Sequence, residues 1–119
     1  MAEARSLDQE RAAYAWKAVG ASPADDYTNL AKAAPALIMS NGLMQTLAFY
    51  KSKGKDHHKR LLCGILGWLA QSLGDFPEDF EGAMERLHSA DSDLYMRATE
   101  EALEILRWIR QFAAARKGA

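Results

Sequence analysis

Two adjacent histidines, His57 and His58, lie inside LAFYKSKGKDHHKR, Leu47 to Arg60, where five Lys or Arg stand against one Asp. Histidine is a common metal ligand, so metal chemistry is the first to test. On a helix, consecutive side chains point about 100° apart, and such a pair cannot chelate one ion as a spacing of four can. Glu85-x-x-His88 has the spacing used in di-iron helix bundles, but those need a second such pair and two further glutamates. No other Glu-x-x-His occurs in the chain, so this pair reads as a solvated helix face and no metal site is expected. Cys63, the single cysteine, sits between Leu62 and Gly64 and reads as a small, buried, inert core residue rather than a nucleophile. Glu100/Glu101 face different directions and Asp91/Asp93 stand where helix caps do, which argues against paired acid–base work. There is no phosphate-cradling glycine loop and no nucleophile elbow. The expectation is a protein that is not an enzyme, with no catalytic residue, no cofactor and no small-molecule substrate.

What remains is a binding surface. Lys51, Lys53, Lys55, Lys59 and Arg60 straddle a helix end, a glycine turn and a helix start. Several cations can converge there on one polyanion, and the free N–H groups of the next helix add to the field. Tyr50, just upstream, is placed to stack a base. Against this stands the ordinary tendency of lysines to gather at a helix C-terminus, where the dipole and solvation favour them.

The rest of the chain has to position that turn. The chain has 119 residues, enough for one core, and its 49% hydrophobic and 26% charged residues suit a folded globule rather than a disordered chain. A single domain over 1–119 is expected, with residues 1–5 and 116–119 as frayed tails. One cysteine allows no intrachain disulfide. No signal core is apparent, and the longest strongly apolar stretch, Leu61 to Ala70, is well short of the ~20 residues of a membrane span. A cytoplasmic protein that does not meet the membrane is expected. The net charge of −1 hides a segregation: five cations oppose one acid in 51–60, two oppose ten in 61–104, and four oppose none in 105–119. Blocks of this kind imply different partners for different faces.

Helical periodicity runs throughout and no alternating strand pattern appears. Ser6-Leu7-Asp8-Gln9 has capping-box spacing and predicts a helix over 7–19, stopped by Gly20. Ser22-Pro23 restarts the chain as cap and first helical residue, and Pro35 should kink or split the run that ends at Asn41-Gly42. A short third helix closes at Gly54. A fourth, capped by Asp56, buries Leu61/Leu62, Ile65/Leu66, Leu69 and Leu73 before Gly74, with Gly64 and Gly67 three apart to admit a neighbour. Pro77 opens an acidic fifth helix through about Leu87, and the last runs from near Asp91 to about Ala115. The fold class is all-α, a compact bundle of five to six helices.

The segments AYAWKAV in the first helix, LAKAAPALIMSNGLMQTLAFYKSKGK across the second and third, and LYMRATEEALEILRWIRQFA at the end resemble the small subunit of the type III-B CRISPR effector, the Cmr complex. The likeness runs from about Leu7 to Ala114, and its most specific part is the ordered run through Asn41-Gly42-Leu43 to Gly54. It implies a small all-helical protein without an active site, several copies of which stack along a guide-RNA ribonucleoprotein in antiviral defence. The implied partners are the backbone and large subunits, further copies of itself, and the guide and target RNA. Lys51, Lys53 and Lys55 would then form part of the RNA-facing surface, extended by Lys59 and Arg60. Arg11, Lys17 and Lys32 match basic positions of the resembling segments. Contacts would be to phosphates, since base pairing to the guide reads the sequence. The segment 72–85 matches the family least well. The competing expectation is a helical adaptor that binds only protein through Trp16, Trp68 or Trp108, the basic turn being merely solvated.

Overall fold

The structure, a computed structural model, describes residues 4–117. Among them are six α-helices and no strand: α1 Leu7–Val19, α2 Asp25–Asn41, α3 Leu43–Lys53, α4 Asp56–Leu73, α5 Phe80–His88 and α6 Ser92–Arg116. The all-α expectation holds. The first helix begins where its capping box says: Ser6 Oγ accepts from the Gln9 N–H at 3.1 Å, and Gln9 Oε1 accepts from the Ser6 N–H at 2.9 Å. Asp79 and Asp91 cap α5 and α6 through their side chains, accepting from the Gly82 and Leu94 N–H groups at 2.8 and 2.9 Å.

Three local expectations are corrected, and of the two outcomes expected at Pro35 the split does not occur. The residue capping α2 is Ala24, without a side-chain bond, rather than Ser22; Pro23 precedes it and is buried, and Asp25 and Asp26 supply the favourable charge in the first turn. Pro35 lies inside an unsplit α2. Asp56 is the first residue of α4 and Lys55 its cap. The fifth helix starts at Phe80, because Phe76 turns inward to 5% exposure and the chain must reach Asp79 before it can coil. Of the expected tails, residues 1–3 and 118–119 lie outside the described residues; Arg116 is the last residue of α6, and Lys117 reaches Asp25 at 3.4 Å.

The 25-residue α6 packs against α1, α2 and α4. Its buried stripe of Ala98, Ala102, Ile105, Ile109 and Ala113 combines small and large side chains, letting neighbours approach closely. All six helices contribute to one cluster of buried side chains, in which Trp68, Tyr27, Tyr50, Leu61 and Leu106 are among the largest. The molecule is flattened, 44 × 42 × 22 Å. Gly67 serves the predicted close approach. An added Cβ there would overlap the Tyr14 hydroxyl, which donates to the Gly64 carbonyl at 2.8 Å.

Cys63 is exposed, not buried. The inward face of α4 is set by His58, Leu61, Leu62, Ile65, Leu66, Trp68 and Leu69, and residue 63 falls on the opposite side with Lys59. Glu85 and His88 are both exposed on α5, as a solvated face requires.

Candidate nucleic-acid interface

The basic turn is made by two helix ends. Gly54 takes the left-handed conformation, φ 67° and ψ 7°, and its N–H closes α3 onto the Tyr50 carbonyl at 3.3 Å. A side chain with a Cβ is strained at this φ, which explains glycine in the midst of lysines. Two residues later α4 begins, so Lys51 and Lys53 in the last turn of α3 and Lys55 at the cap of α4 flank one reversal. Lys59 stands one turn along α4 on the side of Lys55. All four are exposed, and among the described residues none of them is in an ion pair. Lys51 Nζ lies 5.7 Å from the Phe80 ring centroid and Lys53 Nζ 5.4 Å from that of Phe49, cation–π contacts that leave the charge uncompensated.

The turn is fixed from beneath. His58 is buried, its ring centroid 4.3 Å from that of His57 and 5.8 Å from that of Tyr50. Burial holds its pKa below the ordinary histidine value, and the charges of His57, Lys53 and Lys55 push the same way against Asp26. His57 Nδ1 stands 3.4 Å from Asp26, tying α4 to the head of α2. Tyr50 is fully buried and therefore does not stack a base, contrary to the expectation from sequence; burial raises its hydroxyl to about 12. The exposed ring in its place is Phe49, one residue earlier and 46% exposed. The missed signal is the helical step from Leu43 and Leu47 to Tyr50, which continues an inward stripe.

Both arginines among the expected RNA contacts are engaged within the fold. Arg60 donates to the carbonyls of Ala18, at 3.1 Å, and Val19, and its guanidinium lies 4.4 Å from the Tyr27 ring centroid. It thereby satisfies orphan carbonyls at the end of α1. Arg11 forms a fork on Glu101, Nη2 to Oε2 at 2.6 Å and Nε to Oε1 at 3.1 Å, with Asp8 and Glu104 at 3.5 and 3.8 Å. Glu101 Oε1 also accepts from Trp68 Nε1 at 2.9 Å. Burial pushes Glu101 up, but the bonds from Arg11 and Trp68 and the arginine charge outweigh it, and its pKa is lowered. Lys17 and Lys32 are exposed, on α1 and α2. Of the tryptophans, Trp68 is buried, Trp108 partly buried and Trp16 half exposed.

No three His, Cys, Asp or Glu side chains among the described residues are grouped to hold a metal ion, and no described helix is long and apolar enough to cross a membrane. The class defined by fold and surface is a small helical-bundle protein with a cationic helix junction. The family model of the CRISPR-associated protein (Cas_Cmr5) matches residues 7–116, and the chain belongs to this family, the small Cmr subunits that the run from Leu30 to Lys55 resembles. It is 33% identical over 93 residues to the CRISPR system Cmr subunit Cmr5 of Thermus thermophilus, covering 76% of this chain and 74% of that one. It is 31% identical over 93 residues to the subunit of the same name from Thermotoga maritima, covering 73% and 64%. The crystal structure of a CRISPR-associated Cmr5 family protein, also from Thermus thermophilus, superimposes with a TM-score of 0.77 at 33% identity, over 94% of this chain and 97% of that one.

Proposed function

We propose that the chain is a non-catalytic subunit of a type III-B CRISPR (Cmr) ribonucleoprotein, and that Lys51, Lys53, Lys55 and Lys59 contribute to the surface along which guide and target RNA lie. The observation that carries the RNA assignment is the convergence of four exposed lysines, none of them in an ion pair among the described residues, on one helix junction. The N-terminus of α4 adds its partial positive charge. Arg60 and Arg11 act instead as struts, and Lys17 and Lys32 stand exposed on α1 and α2 rather than on the two helices that make the turn. Phosphate contacts of this kind hold RNA without choosing sequence. On this reading the protein acts in the cytoplasm in antiviral defence, beside the backbone and large subunits. The acidic stretch from Asp75 to Glu104 turns away from RNA and meets basic surface on a neighbour or on a further copy of the chain.

The test is purification of the tagged protein from its own cells, as wild type and as Lys51→Glu/Lys53→Glu. The same protein partners with less retained RNA is the expected outcome; unchanged RNA refutes the assignment of the turn. The half-exposed Trp16 favours one alternative, an adaptor that recovers a single protein and no RNA.

A further inference from the structure

The second basic block, Arg107 to Lys117, is not used by the turn, and α6 brings its end against the last turn of α1. There Trp16 is 49% exposed. Arg116 lies over the indole, 3.7 Å from the ring centroid, and donates to the Trp16 carbonyl at 3.3 Å. Phe112 meets the same indole edge-on with centroids 5.1 Å apart, and Trp108 lies against Phe112 at 5.4 Å. The ring is thus held in one orientation with part of its surface open. Beside it runs a groove of about 600 Å³ whose charged lining is Arg5 and Lys17 against Glu10. Arg116 on the ring, with Lys17 and Arg5 along the groove, faces Glu10 in its lining and Asp8 on Trp108, a cationic excess that favours an anionic partner.

Its continuity with the basic turn favours RNA over an acidic peptide. Arg60, at the far side of the turn, bonds the carbonyls of Ala18 and Val19, the two residues after Lys17. The start of α4 and the end of α1 therefore share one end of the molecule. Asp25 and Asp26, at the adjacent head of α2, are already matched with Lys117 and His57.

We propose that Trp16, backed by Arg116 on one face, offers its open surface as a stacking platform for an unpaired base of single-stranded RNA, with Lys17 and Arg5 along the groove for the strand's phosphates, continuing the track that begins at Lys51. The proposal rests on the RNA reading above and adds the form of RNA taken there. Every base has a π-face, so the platform is indifferent to sequence, whereas bases stacked in a duplex cannot offer theirs.

The experiment measures binding of end-labelled oligouridylate, and of a duplex of equal length, to the full chain at low salt, together with tryptophan fluorescence. Trp16→Ala should weaken single-strand binding roughly tenfold and leave the duplex unchanged. Trp16→Phe should retain most of the affinity while losing the quenching that RNA causes in the wild type. Equal loss for both RNAs, unchanged affinity in Trp16→Ala, or no Trp16 quenching up to millimolar protein overturns the platform. So does loss of co-purifying protein subunits in Trp16→Ala with RNA affinity intact, which assigns the ring to protein docking. Lys51→Glu/Lys53→Glu separates the two readings: if it leaves binding intact while Trp16→Ala lowers it, the turn fails and the platform stands. The converse result removes the platform alone.

Discussion

His58 and Glu101 each link folding to pH, and they act in different windows. His58 has a folded pKa below its ordinary value of 6.5 because burial disfavours the imidazolium. The unfolded chain therefore takes up the proton first, and stability falls as pH drops below about 6.5 until the folded form also titrates. A urea-unfolding series between pH 8 and 5 should show this decline, and His58→Gln should flatten it; equal pH dependence in the two proteins refutes the role. Glu101 has its folded pKa below the ordinary 4.5, held there against burial by Arg11 and Trp68. Its contribution is present above about 4.5 and is lost as pH falls through the folded value. Glu101→Gln leaves the Arg11 guanidinium with a neutral partner in a half-closed site, and should cost about 2 kcal/mol near neutral pH, read from the shift of the urea midpoint at constant slope.

At the scale of the helix, the closest contact is Tyr14 of α1 over Gly67 of α4. Replacing Gly67 by Ala removes a helix penalty of about 1 kcal/mol. The new Cβ, however, overlaps a hydroxyl that is committed to the Gly64 carbonyl and whose ring packs 5.3 Å from Trp68. We expect Gly67→Ala to destabilise by about 1–2 kcal/mol in the wild type. In a Tyr14→Phe background the nearest ring atom is 3.5 Å away, ordinary contact, and the same change should be neutral or stabilising. Additive effects in this cycle would exclude the clash. Elements of this kind were largely readable in advance, since caps, glycine stops and the period of apolar residues give α1, α3, α4 and α6 nearly their true bounds. The errors fall where a local rule competes with packing. Pro77 is a good first residue for a helix, but burial of Phe76 holds the chain extended past it, and Cys63 looked apolar by its neighbours when the face it occupies points outward. Side-chain partners were less readable still. Arg11 and Glu101 are ninety positions apart, and no pattern in either helix announces that a cation available to RNA is already engaged.

At the scale of the molecule, charge separation is the main property left to test. With both arginines withdrawn into the fold, the free cations of the turn are Lys51, Lys53, Lys55 and Lys59, and a polyanion held there should release a matching number of counterions. For single-stranded RNA the turn then contributes a slope of roughly −3 to the fall of the logarithm of the binding constant against the logarithm of salt, taking about 0.7 per phosphate neutralised. Lys51→Glu/Lys53→Glu should bring that slope to about half, because two contacts are gone. Arg60→Gln behaves differently if the struts are assigned correctly. It removes one of the ties between α1 and α4 and should lower thermal stability, yet leave the salt slope near its wild-type value at temperatures where the variant is folded. A slope that drops by a full contact in Arg60→Gln shows that the guanidinium leaves Ala18 and Val19 to meet RNA, and the cationic track then gains Arg60 as a further member.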